Sequence, residues 1–119
     1  MSSDRATYSM ILCTLISQRC EKRGMKQQDF FKKSGIATGT WSRIARGQAH
    51  FQIEHIRSAC QILDCSVGEL TSRADKMAAA LKQKEQVNVV TKNDLRSGNS
   101  NAGAFIAGAA LAFLLTRLS

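Results

Sequence analysis

Three glycines, Gly24, Gly35 and Gly47, each follow a short segment in which apolar residues recur at helical spacing. A helix commonly ends at a glycine, because glycine adopts the left-handed conformation of a C-terminal cap without strain. Residues 6–23, 26–34 and 38–46 are therefore predicted to form three consecutive helices. The chain has no proline and only 6% aromatic residues, which also favours an all-α fold over a strand-rich one.

Two more helices are predicted downstream. Residues 52–64 place four apolar side chains on one helical face: Ile53, Ile56, Cys60 and Leu63. Ser66 and Glu69 have the spacing of a capping box, and the helix that they begin runs to about residue 85. Its apolar stripe follows a 3-4-3-4 spacing, typical of a coiled-coil seam, although such a stripe also suits packing on the domain itself. We interpret five residues as a dimer seam: Val67, Leu70, Ala74, Met77 and Leu81.

The charge of the chain restricts its partners. Lys and Arg total 17 against 9 acidic residues, which gives a formal net charge of +8 and a pI near 9.8. A small domain this basic usually binds nucleic acid or an anionic membrane surface. Charge alone does not distinguish the two.

Enzymatic and metal-binding functions find no support in the sequence. The four cysteines, Cys13, Cys20, Cys60 and Cys65, form no CxxC pair and no zinc-type cluster with histidine. We interpret them as reduced core thiols in a cytoplasmic protein without a signal peptide, with a redox sensor as the alternative. His50 and His55 are interpreted as surface residues or weak phosphate contacts. We predict no catalytic residue, metal or cofactor.

The run "GMKQQDFFKKSGIATGTWSRIARG" resembles the Cro/C1-type, or XRE-like, helix-turn-helix family. The shared features include Gln27 at the start of helix 2, Gly35 in the turn, and Ile44 and Gly47 at the family spacing. The downstream run "IRSACQILDCSVGEL" resembles the fourth and fifth helices of the family. The resemblance implies a five-helix, lambda-repressor-like domain at residues 6–72 whose third helix enters the DNA major groove.

The resemblance also implies which residues touch DNA. With Trp41 and Ile44 directed inward, helical spacing leaves the base-reading positions outward: Thr38, Gly39, Thr40, Ser42 and Arg43. Gln27 matches the family residue that clamps a phosphate. The other predicted phosphate contacts are cationic: Lys26, Lys32, Lys33 and Arg46.

The sequence departs from the family at several positions. Gly39 replaces a frequent base-reading side chain, Lys26 replaces a Ser or Thr cap, and Phe51 replaces a common proline. Many members bury an arginine at the position of Cys20 and a glutamate at that of Ala45. Since losing only one partner would leave a buried charge unpaired, the joint replacement predicts that the fold is kept and that Cys20 and Ala45 touch.

The remaining residues divide into three segments: a helix extension at 73–85, a linker at 86–101 that includes a short strand near 87–91, and an apolar helix at 102–118. The continuous apolar part, residues 102–115, would span about 21 Å as a helix, against about 30 Å for a hydrocarbon layer. A ridge of small residues permits close helix packing: Ala104, Gly108 and Ala112. Three interpretations stay open: an inner-membrane tail anchor, a helix buried in an oligomer, and a helix folded back on its own domain.

Taken together, these features predict a bacterial or phage-encoded DNA-binding regulator, cytoplasmic or anchored to the inner membrane. We expect a repressor that binds a two-fold operator in double-stranded DNA as a dimer or higher homo-oligomer. The alternative is a membrane-tethered scaffold whose XRE-like domain binds a protein, cytoskeletal or toxin, instead of DNA.

Overall fold

A computed structural model describes residues 5–84, 87–90 and 108–118. The elements within these residues are β1 (Arg5–Thr7), α1 (Tyr8–Lys22), α2 (Gln27–Ser34), α3 (Thr38–Ala45), α4 (Ile53–Ile62), α5 (Val67–Lys84), β2 (Asn88–Val90) and α6 (Gly108–Leu118). The predicted all-α class is confirmed, and the two strands add only one short parallel ladder.

Helix α1 begins two residues later than the apolar pattern predicts. Thr7 adopts an extended conformation, and its Oγ1 accepts a hydrogen bond of 2.9 Å from the Met10 backbone N–H. An N-cap of this kind satisfies one of the free amides of the first turn. Ala6 and Thr7, which were expected to be helical, belong together with Arg5 to β1, and β1 pairs with β2 so that Ala6 lies opposite Val89.

The helix ends follow the glycines. Gly35 has a φ of 74° and caps α2, where its N–H donates to the Phe31 carbonyl oxygen at 3.0 Å. Gly47 has a φ of 80° just after α3. These left-handed positions make the two bends that set α3 at an angle to its neighbours.

A single apolar core joins the helices. Helix α1 packs against α3, α5 and α6 and buries most of its length, with Ile11 and Ile16 fully enclosed. Tyr8, at the start of α1, donates its hydroxyl hydrogen bond to the Thr71 carbonyl oxygen at 2.9 Å and lies 2.8 Å from Asp75 Oδ1. The packing of α1 against α5 thus forms the centre of the domain core.

The predicted dimer seam is not a free surface in this structure. Leu70, Ala74, Met77 and Leu81 are buried in the core of the chain, and Val67 is half-buried against it. The 3-4-3-4 stripe therefore serves packing within the chain, since α1, α6 and β2 cover this side of α5. Helix α5 runs without a break from Val67 to Lys84, so the predicted domain limit at residue 72 and the predicted helix extension at 73–85 lie within one helix.

The C-terminal apolar segment packs on its own domain. Leu111 and Leu115, one helical turn apart, are each 1% exposed, and α6 contacts α1 and α5. This agrees with the third interpretation of the tail. Ala112 is half-buried, Gly108 is the first residue of α6, and Ala104 lies outside the described residues. Among the helices of residues 5–84 and 108–118, none has the length and apolar character needed to cross a membrane.

The predicted linker is partly structured. Val87 is 1% exposed, and its backbone N–H donates to the Leu81 carbonyl oxygen at 3.0 Å. This contact turns the chain back from the end of α5 into β2. The expected strand near 87–91 is thus present at Asn88–Val90, and residues 91–101 lie outside the described part of the chain.

Candidate nucleic-acid interface

One face of α3 is held by aromatic packing. Trp41 is 8% exposed, and its ring lies edge-on to three phenyl rings, with centroid distances of 5.5 Å to Phe30, 5.6 Å to Phe31 and 5.6 Å to Phe51. Edge-to-face pairs of this kind contribute about 0.5–1.5 kcal/mol each beyond the area that they bury. Together with Ile44, which is fully buried, this packing fixes the rotation of α3 about its own axis.

The opposite face of α3 is open to solvent. Thr38, Gly39, Ser42 and Arg43 are exposed, and Thr40 is half-buried. The structure therefore brings all five predicted base-reading residues to one side of one helix. The Arg43 guanidinium lies outward, and its Nη2 donates a weak hydrogen bond of 3.5 Å to Thr40 Oγ1. That contact leaves most of the guanidinium donors available to a ligand.

Gly39 leaves an open space at the start of α3. A Cβ built on Gly39 would meet no atom within 4 Å, and its φ is not positive. The free protein therefore gives no steric or conformational reason for glycine at this position. The backbone of the first turn of α3 is consequently accessible to a partner.

Both helices of the helix-turn-helix unit start without a side-chain cap. Lys26 precedes α2 and Ala37 precedes α3, each in an extended conformation and each without a cap hydrogen bond from its side chain. The first amides of an uncapped helix are free donors, and they favour anions such as phosphate. The missing cap at Lys26 was predicted from the sequence. The one at Ala37 was not, although the absence of Ser, Thr, Asp or Asn at that position indicates it.

The predicted phosphate contacts form a cationic border around α2 and α3. All five are exposed: Lys26, Gln27, Lys32, Lys33 and Arg46. Within the part of the chain that the structure describes, none of the four cations among them forms an ion pair, whereas Arg19 pairs with Glu69 elsewhere. None of these four cations is thus held in a direct ion pair, and each is available to an anionic partner.

The sequence matches the family described as the Cro/C1-type HTH DNA-binding domain, over residues 16–76. This match covers just over half of the chain and contains α2, α3 and α4 completely. The chain belongs to the Cro/C1-type helix-turn-helix family. No curated protein matches the chain, and no solved structure matches it either.

Membership of the Cro/C1-type family makes the chain a DNA-binding regulator in general terms. Domains of this family are typically not enzymes. In the helix arrangement of this family, α2 and α3 are the helix-turn-helix pair. Helix α3 carries the exposed face described above.

Two departures from the family have a structural setting here. Cys20 is buried in the core, and Ala45 packs against the same core from α3, as expected for an apolar replacement of a buried ion pair. Their direct contact stays a prediction. At the position where proline is common, the Phe51 backbone N–H donates to Ser9 Oγ at 2.9 Å. Proline lacks that hydrogen, so Phe51 gains both a hydrogen bond to α1 and a ring contact with Trp41.

The cysteines and histidines are buried or half-buried. Cys13, Cys20 and Cys60 are buried free thiols, and Cys65 is half-buried. Burial raises the pKa of Cys13 to about 12, and burial together with the neighbouring Cys65 raises the pKa of Cys60 to about 11. Both therefore remain protonated near neutral pH, which suits packing groups better than reactive ones. His55 is half-buried, with its ring edge-on to Phe51.

Proposed function

We propose that the protein is a sequence-specific transcriptional repressor that binds a two-fold operator with α3 in the major groove. The proposal depends on one observation: Thr38, Gly39, Ser42 and Arg43 lie exposed on α3, opposite the buried Trp41 and Ile44. A helix of this kind fits the major groove of B-DNA, which is about 12 Å wide. Binding of the protein to an operator would keep the transcription machinery off that stretch of DNA. We place this function in the cytoplasm, where bacterial DNA lies.

Arg43 is the proposed main reader of base sequence. It is the longest side chain on the exposed face and lies in the last turn of α3, and its guanidinium can bond guanine O6 and N7 in bidentate fashion. Thr38, Thr40 and Ser42 supply hydroxyl groups, and the two threonines also supply methyl groups for contact with thymine. At Gly39 the backbone itself approaches the groove. The specificity is therefore concentrated in one or two base pairs around the Arg43 contact.

Phosphate contacts on both sides of α3 would fix its register. The amides at the start of α2, the Gln27 side chain and the lysines of α2 approach one strand, and Arg46 lies at the other end of α3. Such contacts position a protein on DNA without reading its sequence. They are supported by the exposure of all these side chains and by the missing helix caps.

The two-fold operator requires two copies of α3 about 34 Å apart, or one turn of DNA. We infer a dimer or higher oligomer on that ground alone. The stripe from Val67 to Leu81 packs largely within the chain itself. We therefore place the proposed contact on residues outside this stripe.

The test is selection of binding sites from a random duplex library by the full chain. We expect enrichment of an inverted repeat with a guanine in each half-site. Arg43→Ala should lose about 1–3 kcal/mol of discrimination at that guanine, measured by titrating the selected duplex and a duplex with that base pair changed.

The control for this test is Lys76→Ala, which removes an exposed cation from α5. It should leave the discrimination unchanged. The proposal fails if the folded wild-type chain enriches no sequence, or if Arg43→Ala weakens selected and changed duplexes by the same factor. The second result would make Arg43 a phosphate contact.

A further inference from the structure

A concave surface between α1 and α5 lies outside the nucleic-acid interface. An inner cleft of about 280 Å³ is bounded by the C-terminal half of α1, the end of α4 and α5. An outer cleft of about 480 Å³ continues from it to α6. Gln18, Lys22 and Arg73 line both of them. We call the two together the α1–α5 cleft.

The inner part carries an excess of basic side chains. Four of its eight lining residues are basic, namely Arg19, Lys22, Arg23 and Arg73, and one, Asp64, is acidic. The outer part adds Glu21. Like charges gathered in a concave site raise the local positive potential, which favours an anionic occupant. None of these residues belongs to the exposed face of α3.

Two of the arginines are held in place by the protein. Arg19 forms an ion pair with Glu69, and Arg23 Nη1 donates a hydrogen bond of 3.1 Å to the Leu63 carbonyl oxygen. A guanidinium has five donors, so each arginine keeps N–H groups for a ligand while its position is fixed. Lys22 and Arg73 form no ion pair among the described residues, so neither is neutralised by a direct salt bridge.

The outer part offers an aromatic surface. Phe113 on α6 is 63% exposed, one of two large apolar side chains this exposed among the described residues. Ala112 and Thr116 lie beside it in the lining, and the Arg117 guanidinium is 5.9 Å from the Phe113 ring centroid. An exposed ring at the mouth of a cationic cleft suits a ligand with one anionic end and one flat apolar end.

We propose that the α1–α5 cleft binds a phosphorylated small molecule of nucleotide type. The phosphoryl group lies between Arg19, Arg23 and Arg73, and the ring system lies against Phe113. Arginine forks match phosphate oxygens in bidentate fashion. The two volumes together fall within the usual range for a small-molecule site.

The experiment is calorimetric titration of the full chain at low salt with three probes: AMP, pyrophosphate and adenosine. We expect AMP and pyrophosphate to bind and adenosine to bind at least tenfold more weakly than AMP, because the cationic residues hold the anionic group. The double variant Lys22→Gln/Arg73→Gln should weaken AMP binding at least tenfold. The matched control Lys76→Gln/Lys82→Gln removes the same charge from exposed positions of α5 and should stay within twofold of wild type.

Phe113→Ala tests the placement of the ring. It should weaken AMP binding severalfold and leave pyrophosphate binding unchanged, because only AMP reaches α6. Circular dichroism confirms that each variant is folded. Absence of AMP and pyrophosphate binding by the folded wild-type chain overturns the proposal, and so does equal weakening in the control variant.

A last comparison separates a free ligand from the phosphates of DNA. Binding of a duplex of arbitrary sequence is measured for wild type, the cleft variant and the control. We expect the cleft variant and the control to lose equal affinity for DNA, since both lose two positive charges. A specific loss of DNA affinity in the cleft variant, without an effect on AMP, would assign the cleft to DNA and overturn the proposal.

Discussion

At Gly39, the stability of the free protein and the proposed binding of DNA favour different residues. Glycine in a helix costs roughly 0.5–1 kcal/mol relative to alanine, and nothing in the free domain demands it, because a Cβ there would meet no atom within 4 Å. The glycine is therefore explained only if its bare backbone favours a complex that the domain forms, at the expense of the stability of the free domain. Close approach of the backbone to a base or a phosphate is the gain that we infer.

Gly39→Ala is therefore expected to act in opposite directions on stability and on binding. The free energy of unfolding should rise by up to about 1 kcal/mol, measured by urea denaturation. Affinity for the selected operator should fall, because the added methyl group separates the backbone from DNA.

Gly68→Ala is the matched control, because Gly68 is the second residue of α5 as Gly39 is of α3, and a Cβ there would meet only Ser66 Oγ at 4.0 Å. It should stabilise to a similar degree and leave DNA affinity unchanged. Operator binding by Gly39→Ala that equals or exceeds that of wild type would rule out close backbone approach.

The residue positions that the sequence could predict are those set by local spacing. Trp41 and Ile44 are three apart, so helical periodicity alone places them on one face and Arg43 on another. The hydrogen bond from Phe51 to Ser9 Oγ was not predictable in this way. It joins residues on different elements, and neither residue type indicates the other.

At the scale of elements, the five helices of the domain lie within a few residues of the predicted ranges, because their glycines and caps are local signals. The stripe on α5, interpreted as a dimer seam with packing on the domain as the alternative, packs within the chain. A 3-4-3-4 spacing indicates only that one face of a helix is buried. It does not identify whether α1 or a second copy of the chain packs against that face. The apolar tail has the same ambiguity, which the contact of α6 with α1 and α5 resolves for residues 108–118.

Because α6 packs on its own domain, shortening its buried side chains should lower the stability of the whole chain. Leu111→Ala and Leu115→Ala should each lower the free energy of unfolding of the full chain by about 2–5 kcal/mol, the usual cost of removing a buried leucine side chain. The measurement is urea denaturation followed by circular dichroism.

Phe113→Ala supplies the internal standard for this series, since it removes more atoms from the same helix at a side chain that is 63% exposed. It should change the free energy of unfolding by less than about 0.5 kcal/mol. Wild-type stability in both leucine variants would contradict the packing of α6 on the domain.

For the whole molecule, the excess of positive charge makes the salt concentration a sensitive test of how DNA is held. The net charge of +8 includes exposed cations on α2 and α3 as well as cations in the α1–α5 cleft. Only those near the phosphates of a bound duplex release counterions on binding. The salt dependence therefore distinguishes the cations that touch DNA from those that only contribute to the total charge.

Lys32→Gln should reduce the slope of log K against log salt concentration by about 0.9, the value for one phosphate contact. The slope is measured with the selected operator between about 50 and 200 mM salt. Lys82→Gln makes the same change of charge at an exposed position on α5 and should leave the slope as it is. Equal slopes for Lys32→Gln and wild type would remove Lys32 from the phosphate contacts.

The parallel pairing of β1 with β2 determines the order in which parts of the fold can form during synthesis. Arg5 is synthesised before α1 to α5, yet its partner Asn88 is synthesised only after all five of these helices. The first strand must wait unpaired while those helices are completed, and α6 arrives later still to cover α1 and α5. The helix-turn-helix unit can thus form during synthesis before β1 and β2 pair, and the surface of α1 and α5 that α6 contacts stays open until α6 itself has been made.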